Sequence, residues 1–204
     1  MLNETIQRTL QEVARFYDER KVGDSGSLGF RRSSDLGKLL ACLECLLSEG
    51  LVVPGRSLFL DMGCGDGRVN VLFGYIVRLS FGIELDEWIL DEYSELRALL
   101  DQELREQGFP LPPDNIFLFN GNALDEASYR SIGGKTGIYF HDFDIFYTYL
   151  TMQDEFADLI VQKAKKGSIF MVYGLNSILP KYKGMRLLTP FGSLKGILAL
   201  YQKM

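Results

Sequence analysis

From Ser57 onward, short apolar runs alternate with longer stretches whose apolar residues return every three or four positions. The runs are SLFLDMG (57–63), LSFGIEL (79–85), NIFLFNGN (115–122), FDIFYTY (143–149) and GSIFMVYG (167–174). Each is almost continuously apolar, which marks a strand buried on both faces. Between them DGRVNVLFGYIVR, DEWILDEYSELRALLDQELREQG, LDEASYRSI and QDEFADLIVQKAKK carry helical spacing. Strands that alternate with helices predict an α/β protein with a doubly wound, mostly parallel sheet and helices on both faces. The last two runs, MRLLTP and GILALYQK, are separated only by FGSLK, too little chain for a helical crossover. They predict a C-terminal antiparallel hairpin and a sheet of seven strands.

Ahead of this pattern lies an N-terminal helical extension. A first amphipathic helix is expected from about Glu4 to Arg20, and a second over DLGKLLACLECLLSEG, ending at Gly50. Between them KVGDSGSLGFRRSS reads as a loop that ends at a helix cap, Ser33 or Ser34. This loop is a candidate lid, with Phe30 as a wall and Arg31 or Arg32 meeting a carboxylate; a plain surface connector is the alternative. With no internal repeat or low-complexity linker, residues 1–204 read as one domain: helices and lid over 1–50, a core over 57–204.

No apolar run reaches the ~18 residues of a membrane span, since Leu39 to Leu47 is interrupted by Glu44. The N-terminus lacks the basic-then-apolar order of a secretion signal, so a cytoplasmic address is expected. Cys42 and Cys45 form a C-x-x-C inside a helical pattern with no second Cys/His pair, and are expected as buried core thiols; no metal site is expected. A net charge of −5 argues against general nucleic-acid affinity. From Lys163 onward, however, eight of the 22 basic residues occur without one acid, an asymmetry that suits solubility or an acidic protein partner.

The chemistry concentrates in LDMGCGDGRV (60–69). Gly63, Gly65 and Gly67 fall where the first strand turns into a helix, the place at which open α/β sheets bind ligands. Dinucleotide folds want G-x-G-x-x-G/A there; this chain has Arg68 in the last position and Asp66 where a pyrophosphate would sit. A ligand without phosphates fits better. The loop resembles motif I of the class I S-adenosylmethionine-dependent methyltransferases, whose fold is Rossmann-like with the same closing hairpin. By that resemblance Asp61, Gly63, Cys64 and Gly65 hold the methionine end of the cofactor. Glu84, ending the second strand, takes the ribose, with Leu85 beside it. Asn122 and Ala123 stand where the family reads adenine, Asn122 replacing the usual Asp, with its amide oxygen accepting from the amino group. Asp66, Asp86 and Asp125 are expected to start helices, and His141 to hold a structural or surface place.

The acceptor is less legible. Tyr149-Leu-Thr-Met152 occupies the position where methyltransferases of nucleobases and glutamine carry N/D-P-P-Y/F, which weakens those readings. Tyr147 and Tyr149 lie on one side of the sheet by strand alternation and are the candidate catalytic residues, or else core. GDGRV followed by GIELDEW, with Trp88, is similar to small non-SET protein-lysine methyltransferases, including those acting on the ATP synthase c-subunit, and favours a protein lysine amine. A small-molecule acceptor, a silent S-adenosylmethionine-binding protein and, last, an NAD(P)-binding oxidoreductase module remain as alternatives.

Overall fold

The apolar runs form strands β1 (Leu58–Met62), β2 (Leu79–Glu84), β3 (Ile116–Asn120), β4 (Ile145–Tyr149), β5 (Ile169–Tyr173), β6 (Met185–Leu187) and β7 (Leu198–Lys203). In this computed structural model residues 2–20, 33–175, 178–189 and 193–204 are described, with 25–26 and 29–30 as backbone only. The seven strands make one sheet in the order β3-β2-β1-β4-β5-β7-β6. The first five are parallel, and β7 runs antiparallel to both β5 and β6. The strands are shorter than the apolar runs, so β6 and β7 are joined by residues 188–197 rather than by FGSLK alone. A separate ribbon, Ser25–Gly26 paired with Gly29–Phe30, stands in the loop expected between the two N-terminal helices.

Six helices accompany the sheet among the described residues: α1 (Glu4–Asp18), α2 (Leu36–Ser48), α3 (Arg68–Gly74), α4 (Glu87–Glu106), α5 (Glu126–Thr136) and α6 (Gln153–Lys163). Because successive side chains of a strand point to opposite faces, each strand feeds two cores. Phe59, Ile145, Tyr147, Met171 and Leu200 pack with α1 to α4. Leu58, Leu60, Met62, Phe146, Phe170 and Val172 pack with α5 and α6. Near-continuous hydrophobicity is thus the mark of two covered faces. Helix α3 is shorter than its apolar pattern: it ends at Gly74, whose lack of a side chain leaves room for Ile116, and Ile76 and Val77 just beyond it are buried in the core.

The N-terminal helices are tied to the core by polar contacts as well as by packing. Asn3 caps α1 by accepting from the Ile6 N–H at 2.8 Å. At the other end of α1, Asp18 accepts from the N–H groups of Leu36 and Gly37, each at 2.8 Å. These are two of the donors that a helix start leaves without intrahelical partners. The cap of α2 is Asp35, which accepts from the Lys38 N–H at 2.8 Å, and not Ser33 or Ser34. Arg68 donates through Nη1 to the Tyr17 carbonyl at 3.3 Å, joining α1 to the start of α3.

The Asp18 contact is open to a direct test. Asp18→Ala removes the acceptor for two helix-start donors, at a cost of about 1 kcal/mol. For a chain of this size that corresponds to a drop in Tm of roughly 2–4 °C by calorimetry, with the folded far-UV circular dichroism spectrum retained. An unchanged Tm would mean the contact adds nothing to the docking of α2.

Candidate active site

After β1 the chain moves outward to β2 and β3, then returns to place β4 on the other side of β1. Such a switch in direction opens a crevice at the carboxyl ends of the strands. Here it holds a cavity of about 420 Å³, lined by Asp61, Gly63, Cys64, Gly65, Glu84, Leu85, Asn122, Ala123, Tyr147 and Tyr149. All ten residues singled out from the sequence therefore meet in one place. A larger groove, about 1160 Å³, runs between α1 and α2 and touches none of them.

The glycine loop is shaped by its neighbours. Gly63 and Cys64 donate to the Ile83 carbonyl at 2.9 and 3.0 Å, which holds the end of β1 against β2. Gly65, at φ +55°, donates its N–H to Glu84 Oε2 at 2.8 Å. The other oxygen of Glu84 accepts from the Asp86 N–H at 3.0 Å. Glu84 thus ties the glycine loop to the start of α4 and keeps lone pairs on both oxygens for hydroxyl donors. At Gly67, φ +75°, a Cβ would come within 2.8 Å of Leu118 and Tyr93, so only glycine lets α3 begin there. Gly82 on β2 leaves room for Cys64, whose thiol is pushed up by burial and by Asp61, Glu84 and Asp66, and stays protonated.

Asp61 shares the Phe59 face of β1 and is 2 % exposed. Its Oδ1 is buried with no hydrogen-bond partner. Burial raises its pKa well above the carboxylate range, and the charges of Glu84 and Asp66 raise it further. Asp66 is compensated, unlike Asp61. It forms a two-pronged pair with Arg68, Nε to Oδ1 at 3.0 Å and Nη2 to Oδ2 at 2.8 Å, with Arg20 Nη1 3.5 Å away. Asp66 also accepts from the Arg68 backbone N–H at 3.3 Å, as expected of a residue at the helix start, although the cap position itself is Gly67 and the ion pair lies beyond that expectation. Asp86 and Asp125 do begin α4 and α5, without side-chain cap bonds.

On the β4 side, the Tyr147 hydroxyl lies 2.6 Å from Ser34 Oγ, and both side chains are buried. Tyr149 stacks at an angle on Tyr173, ring centres 5.2 Å apart, and the Tyr173 hydroxyl accepts from the Asp35 N–H at 3.0 Å. The start of α2 thus forms a wall of the cavity. Sequence reading missed Ser34 in this role, because nothing in the local sequence tells which strand end α2 meets. It also passed over Thr148 and the unusual Met152, a non-glycine residue at φ +52° on the cavity wall. Left-handed backbone at such a residue costs of order 1 kcal/mol or more and collects at functional sites.

Other expectations fall away from the cavity or are corrected. His141 sits exposed in a short turn, Phe140–Asp142, beside Tyr139. Cys42 is buried as expected, whereas Cys45 is half-buried. The Asn122 amide oxygen accepts from the Leu124 N–H at 2.9 Å and keeps a second lone pair on the cavity-lining residue. Arg31, Arg32 and the side chain of Phe30, proposed for the lid, lie outside the described residues. Among the described residues no helix is long and apolar enough to cross a membrane, and no cluster of three His, Cys, Asp or Glu is placed to hold a metal ion.

No protein-family model matches the chain, and no curated protein matches it. Solved structures do resemble it. An RNA methyltransferase from Salinibacter ruber, in complex with S-adenosyl-L-homocysteine, is similar over 85% of this chain and 93% of its own, with a TM-score of 0.53 at 12% identity. A mutant of MtNAS in complex with S-adenosylmethionine is similar over 98% of this chain and 72% of its own, with a TM-score of 0.54 at 12% identity. A conserved hypothetical protein from Streptococcus pyogenes reaches a TM-score of 0.50 at 9% identity, over 79% and 94% of the two chains. These likenesses show the fold alone, a Rossmann-like α/β fold.

The buried Asp61 carboxyl gives a pH-dependent prediction. Its folded pKa is raised, so the folded chain binds the proton more readily than the unfolded one, and stability falls as pH rises from the ordinary carboxylate range through the raised value. Asp61→Asn removes that loss. The variant is expected to melt higher than the parent at neutral pH, with the gain shrinking toward pH 4. A variant that melts lower at neutral pH would show that Asp61 is already stabilised in its charged form.

Proposed function

We propose that this protein is an S-adenosylmethionine-dependent methyltransferase that transfers its methyl group in line to an amine, a protein lysine ahead of a small molecule. The observation that carries this reading is the buried, unpartnered oxygen of Asp61 beside Glu84 in an acid-lined cavity. A site with that charge favours a cation and disfavours phosphates. The cofactor supplies an electrophilic methyl on a sulfonium, which leaves with its bond electrons when an acceptor lone pair attacks. Asp61 and the glycine loop suit the cationic methionine end, and Glu84 suits the two ribose hydroxyls. On the β4 side Tyr147, Tyr149 and Ser34 would orient the acceptor and exclude water, and a desolvated lysine loses its proton more readily.

The dinucleotide alternative fares poorly on two counts. The Gly65 N–H that a phosphate would need is taken by Glu84, and Asp66 stands at the start of α3. A silent cofactor-binding protein would use the same cavity, and only a transfer assay separates it from an enzyme. Three free thiols suit a reducing compartment such as the cytoplasm for this activity. The acid-free run after Lys163 suits a partner of negative charge, such as an acidic protein.

Isothermal titration with S-adenosylhomocysteine tests the cofactor reading. Binding at micromolar Kd is expected, weakened at least tenfold by Glu84→Gln and abolished by Glu84→Ala, which also frees the glycine loop. No heat at high protein concentration would sink the reading. Tyr147→Phe is expected to keep the affinity for S-adenosylhomocysteine while lowering labelled-methyl incorporation into cell-extract protein at least tenfold; equal incorporation would remove Tyr147 from the acceptor side.

A further inference from the structure

Among the described residues that line the cavity, four are acids, Asp61, Asp66, Glu84 and Asp86, and one is a cation, Arg68. That cation is committed to Asp66, Nη2 to Oδ2 at 2.8 Å. Glu84 accepts from two backbone N–H groups, and Asp86 stands half-buried at the start of α4. Asp61 is buried, is paired with no cation among the described residues, and has no donor to its Oδ1. We propose that Asp61 carries a proton in the free protein and that the ammonium group of the cofactor's methionine end displaces it, so that binding delivers one proton to solvent. The inference rests on the cofactor reading above and deepens it.

The surroundings of Asp61 supply nothing that would hold its charge. It lies opposite Gly82 of β2 and Tyr147 of β4. Gly82 brings no side chain, and the Tyr147 hydroxyl is engaged with Ser34 at 2.6 Å. A buried carboxyl without a donor or a cation costs far less in its neutral form. Burial therefore raises its pKa first, and the charges of Glu84 and Asp66 raise it further. An ammonium placed in the cavity reverses the balance, because an opposite charge nearby favours the carboxylate. The O–H bond of Asp61 then breaks, its electron pair stays on the carboxylate, and the proton passes to water.

The other titratable groups nearby are held. The Cys64 thiol and the Tyr147 phenol are both pushed far up by burial and keep their protons with or without a ligand. Asp66 lies between Arg68 and Arg20, and Arg20 also holds Glu92 of α4. From α2, Asp35 pairs with Lys38, and the neutral Ser34 is what reaches Tyr147. Asp61 is thus the group whose charge the ligand changes. Affinity then rises with pH, by up to about tenfold per pH unit, between the lowered pKa of the bound state and the raised one of the free state, and levels off above. A ligand without the amino-acid end leaves Asp61 protonated and binds alike at every pH.

Titration calorimetry in paired buffers of different ionisation heat counts the protons. The probes are S-adenosyl-L-homocysteine, which carries the ammonium, and 5′-methylthioadenosine, which keeps the nucleoside and the sulfur without it. Between about pH 5 and about pH 7.5 the first is expected to release, at its maximum, at least about half a proton per molecule bound to the full chain, and the second none. In Asp61→Asn the release is lost and affinity no longer changes with pH. Release that is absent throughout this range, equal for the two probes, or retained in Asp61→Asn overturns the inference, while the binding itself leaves the cofactor reading intact. Should the variant fail to fold, the two probes on the parent decide; should 5′-methylthioadenosine bind too weakly to measure, the variant decides. A parent that gives no heat with S-adenosyl-L-homocysteine overturns the cofactor reading, and the inference with it.

Discussion

A single carboxylate at the end of β2 gives the site its shape. Bare glycine backbone is conformationally expensive to order, about 0.5–1 kcal/mol per glycine beyond alanine, and a loop with three of them needs an anchor. Glu84 is that anchor, taking the N–H of Gly65 on one oxygen and that of Asp86 on the other. The same bond settles the electrostatic character of the cavity. It withdraws from the loop an N–H that would otherwise greet an anion, and it sets a carboxylate close to Asp61. Geometry and charge preference thus descend from one contact.

Two acids near this loop show how differently burial can be met. Asp66 is buried beside Arg68, and two short hydrogen bonds offset the loss of water. Asp61 is as deeply buried, yet one of its oxygens has no partner. Burying such an oxygen is costly, and the fold keeps it at the switch point of the sheet. Nothing in the packing of β1 calls for an acid there. A ligand cation would supply what the protein withholds, and on that reading the free protein carries a strain that binding relieves.

The sheet was legible because strands covered on both faces leave long apolar runs, and the helices between them keep their spacing. Their ends were less so. Helix α3 stops at Gly74, where the backbone comes close to Ile116 of β3, a contact between segments more than 40 residues apart. The ten residues of the candidate site came from a local signature, glycines and acids at strand ends, which a parallel sheet gathers by itself. Ser34 escaped notice because its partner, Tyr147, is 113 positions away, and a serine before a helix looks like a cap. For Asp66 the bond to a helix-start N–H was legible, but the ion pair with the same Arg68 was not, because an arginine two positions on can turn either way. The Asn122 substitution was visible, but the direction of its amide depended on the turn to Leu124.

The placement of β7 bears on the order in which the chain can assemble. It is the last strand of the sheet in sequence, yet it lies inside the sheet, between β5 and β6. On a ribosome, β1 to β5 can emerge and pair while β6 has no neighbour to join. Until residues 198–203 leave the exit tunnel, the apolar strand IFMVY of β5 presents an open edge, the kind that recruits other chains. The cavity between β1 and β4 needs neither late strand for its walls. A ligand present during synthesis could therefore settle into a half-built sheet and steady it through the interval when its edge is bare.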